Sequence, residues 1–405
     1  MTEFDEYGKI NLKLLNNKEM ERYEEFEQYL RAEEPDKVQR ARNWSIAIGL
    51  QDVDGIHPSD FLLQQAKENI EGNISREQVR KNIEEYYKEK SVRKEAIKNR
   101  TFEADNVIER INTLLAEKAF TFSPSQLRHI HEFLFKGIDK RAGIFRDYNI
   151  TKSQWILDGD TIEYGRAGNL TELLNFDFSE EKKFDYSNHS SLEALNHIAR
   201  FISGIWQIHP FGEGNTRTTA VFLIKYLKSF GFNVDNESFA KHSWFFRNAL
   251  VRSQHENIPK GIHRTFEPLE RFLNHAVFGT PADLRNRTLH IRWKKEEQIS
   301  EIESANPQNE VIKSTKRQNG ISEISKRQND VLETTELLSQ KLSIKEMAVM
   351  SLIMKNSKIS ISSLTIATGL SGRTIDRIIK SLKEKGVLQR IDSKNNPCSV
   401  VNEPL

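Results

Sequence analysis

The chain has 405 residues, 37% hydrophobic and 29% charged, with 60 Lys and Arg against 58 Asp and Glu and a mean hydropathy of −0.62. That length allows for two or three domains at ~100–200 residues each, and a net charge of +2 excludes a polyelectrolyte built throughout for nucleic acid. The lone cysteine, Cys398, excludes an intramolecular disulfide; no signal peptide is apparent and no stretch approaches the ~18 apolar residues of a membrane span, so a cytoplasmic protein without a membrane partner is expected.

Residues 1–100 are polar and rich in helix formers. Phe61, Leu62, Leu63, Ala66 and Ile70 share one helical face, Gly72-Asn73 stops that helix, and Ser75 caps a second one carrying Val79, Ile83, Tyr86 and Tyr87. From 101 to 295 the apolar density rises. Amphipathic helices run through "TFEADNVIERINTLLAEKAF" and "SPSQLRHIHEFLFKGI", the second opened by Ser123 with Pro124 in its first turn. Between "GIFRDYNITKSQW" and "TIEYGRAG", Asp158-Gly159-Asp160 signals a hairpin turn. "SLEALNHIARFISGIWQI" is a long apolar helix that leads into "HPFGEGNTRTTAVF". Residues 296–340, poor in large apolar side chains, read as a polar linker. The block from 341 to 405 holds eleven Lys and Arg against five Asp and Glu. It reads as helix, turn at Gly369, helix and a short hairpin.

The stretch from 209 to 217 concentrates the chemistry. Gly212 and Gly214 admit backbone conformations closed to other residues, so the loop can turn its amides inward. Those amides begin a helix, whose free N–H groups and dipole receive an anion. Arg217, in the first turn, can reach a phosphate oxygen. Glu213 is a hard oxygen ligand of the kind that holds Mg²⁺ together with substrate phosphates. His209 is the loop's base for a hydroxyl near neutral pH. These parts specify transfer of a phosphate-containing group to a hydroxyl.

This stretch resembles the Fic family signature, H-x-F-x-[DE]-G-N-G-R-x-x-R, at His209, Phe211, Glu213, Gly214, Asn215 and Arg217. The resemblance extends over about 101–290, the hairpin corresponding to the family's flap. It implies a mainly α fold: a Fic-type helical core with a β-hairpin flap, an N-terminal helical arm over 1–100 and a C-terminal winged helix. It implies transfer of AMP from ATP, with Mg²⁺, to a Ser, Thr or Tyr hydroxyl of a target protein. His209 would deprotonate the hydroxyl, Glu213 would hold Mg²⁺, and Gly212, Gly214, Asn215, Thr216 and Arg217 would line the nucleotide site. Thr161, Ile162, Glu163 and Tyr164 of the flap would align the target by strand addition, and Phe246 in "WFFRNAL" is offered to the adenine.

The sequence departs from the signature twice. Thr216 replaces a glycine, where a side chain would crowd the anion hole, and Ala220 replaces the final arginine. The Doc-type branch also replaces these positions and phosphorylates its target, so a protein kinase is a second reading. A DNA-binding regulator whose Fic core senses nucleotide without turnover is a third.

The arm resembles the antitoxin that restrains many Fic enzymes through [ST]-x-x-x-E-[GN]. Aligned on "DG-x-x-P", Asp54-Gly55 takes the Glu-Gly position; aligned on the hydroxyl, Ser45 is selected and Gly49 replaces the Glu. The arginine such a carboxylate would meet is already Ala220. In the block 341–405, Ile375, Ile378, Ile379 and Leu382 form a buried face. Arg373, Thr374, Arg377 and Lys380 lie towards the other side, at spacings suited to a major groove. The block looks like a winged helix-turn-helix, with DNA as a partner alongside the target protein. Self-modification and homo-oligomerisation stay open.

Overall fold

The computed structural model describes residues 26, 28–29, 34–232, 236–293, 334–391 and 398–401. Most of the expected polar linker, 296–333, lies outside them.

Helices dominate. The arm contributes α1 (Pro35–Gly49), a 3₁₀ turn (Asp52–Asp54), α2 (Asp60–Glu71), α3 (Arg76–Tyr86) and α4 (Lys90–Lys98). The serines expected to start helices do so: Ser75 and Ser123 accept the backbone N–H of Gln78 and Gln126, and such caps are each worth about 1 kcal/mol. The core follows with α5 (Thr101–Ala116), α6 (Pro124–Phe135), α7 (Leu170–Lys183), α8 (Ser191–Ile208), α9 (Asn215–Ser229), α10 (Asn236–Lys241), α11 (Ser243–Gln254) and α12 (Glu267–Phe278).

Two helices organise this core. α8 starts at a capping box in which Ser190 and Glu193 satisfy each other's backbone N–H. Its apolar residues pack against α7, α9, α11 and α12. α9 is buried on nearly every side from Asn215 to Leu227, as a central helix must be. Of the two cations in that run, Arg217 and Lys225, the second donates to the Leu114 and Glu117 carbonyls at 2.8 and 3.0 Å, at the C-terminal end of α5. That end carries the negative pole of the helix dipole. α1 packs on α5 and α10, so the arm is continuous with the core.

The expected hairpin differs in form. Asp158 and Gly159 both have positive φ, 56° and 86°, as a tight hairpin turn requires. The flanking segments nevertheless form no regular ladder: Gln154 N–H donates to the Asp160 carbonyl, and Trp155–Leu157 coil into a 3₁₀ turn. Residues 161–165 belong to no regular element, with Ile162 and Tyr164 buried and Glu163 exposed, the alternation of an extended segment.

The C-terminal block forms α13 (Ile344–Lys355), α14 (Ile361–Thr368), α15 (Gly372–Glu384) and an antiparallel pair, β1 (Leu388–Ile391) and β2 (Cys398–Val401). The end of the expected linker is ordered into this block. Residues 334–341 are helical, Leu338 is fully buried, and Ser191 of α8 donates through its N–H to the Leu342 carbonyl and through Oγ to the Ser339 carbonyl. The first turn of α8 therefore carries the C-terminal block, and its last turn carries His209.

Candidate functional site

His209 caps α8 in the left-handed conformation, φ 51°, and its ring is buried against Tyr164 and Trp206. Nδ1 lies 3.1 Å from the Trp206 carbonyl, which can only accept, so Nδ1 holds the proton and Nε2 keeps its lone pair. Burial, aided by the Lys152 charge, lowers the imidazole to about 3.

The loop that follows is braced from several sides. Asn215 Oδ1 accepts the Phe211 N–H at 3.0 Å and its Nδ2 donates to the Phe211 carbonyl at 2.8 Å, so its side chain shapes the loop from within. Gly214 has φ 73°, and a Cβ there would meet the Phe135 ring at 2.3 Å. Gly212 lies against the Tyr148 hydroxyl. Thr216 turns its hydroxyl to α8, where it accepts from Trp206 Nε1 at 3.0 Å. Its side chain is therefore drawn aside, and the crowding expected of it does not follow from its presence alone. Ala220 is fully buried in α9.

Two residues that the sequence reading passed over brace the loop most firmly. His131 stacks on Phe211 at 3.7 Å, accepts the Gly143 N–H at Nδ1 and thus donates from Nε2 to the Glu213 carbonyl at 3.0 Å. Arg146, also buried, donates to the carbonyls of His209, Tyr148 and Ile208 at 2.8, 2.7 and 3.2 Å and to that of Gly165. One guanidinium thus ties the end of α8, the motif loop and the flap together. Neither contact with the motif region has a local sequence signal, because those partners are carbonyls 62 to 82 positions away.

The two buried imidazoles carry a consequence for stability. Burial holds His131 down to about 4 and His209 to about 3, whereas an unfolded imidazole binds its proton near pH 6.5. Below pH 6.5 the unfolded state binds more protons, so folding stability is lost as the pH falls through this window. The melting temperature is expected to drop between pH 7 and 4, and to drop less in His131→Gln. An equal slope in both proteins would remove His131 from the account.

Arg217 is 2% exposed and surrounded by two carboxylates and an amide, its Nε close to Asp54 as an ion pair without hydrogen-bond geometry. Nε lies 2.7 Å from Asp54 Oδ2, Nη2 donates to Glu103 Oε1 at 2.9 Å, and Nη1 donates to Gln51 Oε1 at 2.9 Å. The face of the guanidinium covers the Phe135 ring at 4.8 Å. Arg100 completes the cluster, donating to the Asp54 carbonyl at 3.3 Å and pairing with Glu103 at 2.9 Å. Asp54 thus meets the motif's retained arginine. Ser45 does not reach the site; its hydroxyl donates to the Ala41 carbonyl one turn back in α1.

Glu213 stands 72% exposed at the loop tip, with Lys152 Nζ 3.4 Å away. Phe246 corrects an expectation: it is fully buried among Phe239 and Phe272, a core ring with no face left for adenine. Its neighbour Arg247 is the residue of "WFFRNAL" that faces the site. Its charge acts on His209, Tyr164 and Asp54, and among the described residues its side chain donates only to Asn248 Oδ1. A cleft of about 840 Å³ runs along Thr161–Arg166 towards Gln254–Pro259. Ile162, Glu163 and Tyr164 donate no backbone hydrogen bond among the described residues, so an open strand edge borders it.

In the C-terminal block, Ile375, Ile378 and Leu382 are buried while Arg373, Arg377 and Lys380 are exposed on α15. Thr374 belongs to the helix cap, its N–H donating to Ser371 Oγ. Ser381 and Lys385 donate to Glu346 of α13 at 2.6 Å each and fix α15 in place.

A helical core with an anion-receptive turn between its two central helices, joined to a winged helix, is the class of protein described. Residues 121–227 match the Fic/DOC family and residues 342–389 the winged helix-turn-helix DNA-binding family; the chain carries a Fic/DOC domain and a C-terminal winged helix. Solved structures of low similarity include the N-terminal Fic domain of a Bep effector from Bartonella sp. AR 15-3, at 19% identity and TM-score 0.36, covering 45% of this chain and 82% of that one. A Fic domain containing signaling protein from Bacteroides thetaiotaomicron VPI-5482 aligns at 12% identity and TM-score 0.36, covering 64% and 90%. A Fic family protein from Desulfovibrio desulfuricans G20 aligns at 12% identity and TM-score 0.33, covering 95% of each chain. No curated protein matches the chain. No described helix is long and apolar enough to cross a membrane.

Proposed function

We propose that the chain transfers AMP from ATP to a hydroxyl of a target protein, and that its own arm restrains it. The observation that carries the transfer reading is the state of His209: neutral, Nε2 unprotonated, at the junction where α9 presents its first free N–H groups. Such a nitrogen can take the proton of an acceptor hydroxyl as that oxygen attacks the α-phosphorus. The bond from the α-phosphorus to the bridging oxygen then breaks, and pyrophosphate leaves.

Arg217 and Arg247 are the cations that would meet the phosphates, Arg247 bringing a charge that acts on both His209 and Asp54. Glu213 fits a magnesium ion, since an exposed carboxylate on a loop tip leaves coordination positions for phosphate oxygens and water. Bound there, Mg²⁺ would neutralise phosphate charge; Lys152 would exchange its contact with Glu213 for one with a phosphate.

Restraint rests on occupancy. Asp54 and Glu103 hold Arg217 from two sides, and Arg100 neutralises the second carboxylate, so the guanidinium is already paired where a triphosphate has to come. Mass spectrometry of the protein and of Asp54→Ala, each incubated with ATP and Mg²⁺, tests both parts. A gain of one AMP on a hydroxyl residue supports the reading, and a gain of one phosphate replaces it with a kinase. No gain in either protein rejects it.

The winged helix is proposed to bind DNA through α15. Replacing Arg377 by Ala should weaken binding to any duplex and lower the salt slope of log K by about 0.9, one phosphate contact's worth. A slope unaltered by Arg373→Ala, Arg377→Ala and Lys380→Ala alike would reject this face.

A further inference from the structure

Beside the flap lies a second recess, of about 270 Å³. It opens off the same stretch as the long cleft, since Glu163–Arg166 and Gln207 border both. Its far wall is α7, where Leu173 and Asp177 stand one turn apart on the same face. Its floor is the last turn of α8. A Cβ on Gly204 would lie 2.9 Å from Asp177 Oδ2, so this glycine lets the carboxylate rest directly against the helix backbone.

Among the described residues Asp177 is unpaired: it accepts no hydrogen bond and meets no cation. Burial alone pushes its carboxyl up to about 6, with no offsetting partner. An orphan carboxylate of this kind loses its water without a return, a cost that a cation entering the recess would remove. A second feature favours positive charge in the same place. The recess borders the C-terminal turn of α8, at Gln207 and Ile208, where the helix dipole is negative. The acidic and basic side chains bordering it are Glu163, Asp177 and Arg166, which sum to one negative charge, Tyr164 being a neutral phenol. Its volume lies just below the range of small-molecule pockets, about 300–1,000 Å³, and suits one long side chain.

We infer that this recess is a specificity pocket for a basic side chain, lysine or arginine, of the segment that lies along the flap. The inference rests on the reading above that a target segment adds to the open edge at Ile162–Tyr164. Residues of an added strand alternate sides every 3.3 Å or so, so one position of the target, at fixed spacing from the acceptor hydroxyl, points into the recess. Asp177 then receives the ammonium or guanidinium, and Leu173 covers the aliphatic stem.

The test is fluorescence-polarisation binding of labelled, acetylated heptapeptides with a central tyrosine to the full chain. Lysine is walked through the other six positions and compared with norleucine, which keeps the stem and drops the charge. At one position lysine should bind about ten-fold or more tighter than norleucine, equivalent to about 1.4 kcal/mol. Asp177→Asn should erase that difference and leave the norleucine peptides unaffected. Asp177→Lys should reverse it, so that glutamate is preferred at the same position, an outcome that a misfolded variant cannot produce. If lysine and norleucine are equal at every position, or if no peptide binds, the inference is wrong. It is equally wrong if the preference survives in Asp177→Asn. Mass spectrometry of the same peptides with ATP and the Asp54→Ala protein separates the two ideas. Lysine-preferring binding without AMP transfer keeps the pocket and rejects the activity; transfer without lysine preference does the reverse.

Discussion

Asp54→Ala is expected to convert a protein that holds Arg217 shut into one that binds ATP about 10- to 150-fold more tightly. The estimate follows from the contact removed. A hydrogen bond or ion pair to a charged group contributes about 1.5–3 kcal/mol, and each 1.4 kcal/mol is a factor of ten in affinity. In the unbound wild type ATP has to displace Asp54 from a guanidinium that is 2% exposed. Glu103 and Gln51 keep their hold in the single variant. Asp54→Ala/Glu103→Ala should therefore go further than either change alone, and less than additively, because both carboxylates act on one arginine. Stability should move the other way. A buried arginine that loses a carboxylate is left undercompensated, so the variant should melt lower than wild type without nucleotide and recover more with ATP. Calorimetric titration with ATP and Mg²⁺ reads the first effect and a melting scan the second. Equal ATP affinity in wild type and both variants would end the restraint idea.

His209→Ala in the Asp54→Ala background should reduce transfer by about 10²- to 10⁴-fold, the usual contribution of a positioned base. ATP affinity should stay unchanged, because the imidazole faces Trp206 and Tyr164 rather than the guanidinium of Arg217. The pH dependence is a second readout. With its conjugate acid near 3, His209 is deprotonated throughout the working range. The rate should show no limb of slope one near pH 6.5. A limb at that position, absent from a non-histidine base variant such as His209→Gln, would mean that the ring leaves its buried position before it works. A His209→Ala protein that transfers AMP at the parental rate would remove the base altogether.

Arg217 separates what local sequence carries from what it cannot. Its position in the first turn of a helix after a glycine turn follows from Gly214 and the apolar run behind it, which are neighbours in the chain. Its partners are Gln51, Asp54 and Glu103, more than a hundred residues upstream, brought to it by the packing of α1 on α5 and of the 52–54 turn on α11. "DG-x-x-P" drew attention to Asp54; no pattern singled out Glu103. In "WFFRNAL" an aromatic ring looked like a ligand for a base and the adjacent arginine went unnoticed, because only the packed core decides which of two consecutive residues points inward. Arg146 and His131 escaped for the same reason: their work is to satisfy carbonyls, and any residue's carbonyl serves equally well.

By itself the sequence determined the elements whose causes lie within a few residues. Serine caps, glycine stops, the apolar faces of the helices, the left-handed pair at Asp158-Gly159 and the order of groups from His209 to Arg217 all depend on neighbours along the chain. The tertiary structure alone decided that Asp54 and Glu103 hold Arg217, that Thr216 turns to Trp206, that Phe246 belongs to the core and that Asp177 has no partner among the described residues. Each of these depends on which distant surfaces pack together, and burial, not residue type, sets whether a charge there is satisfied, shared or exposed to a ligand.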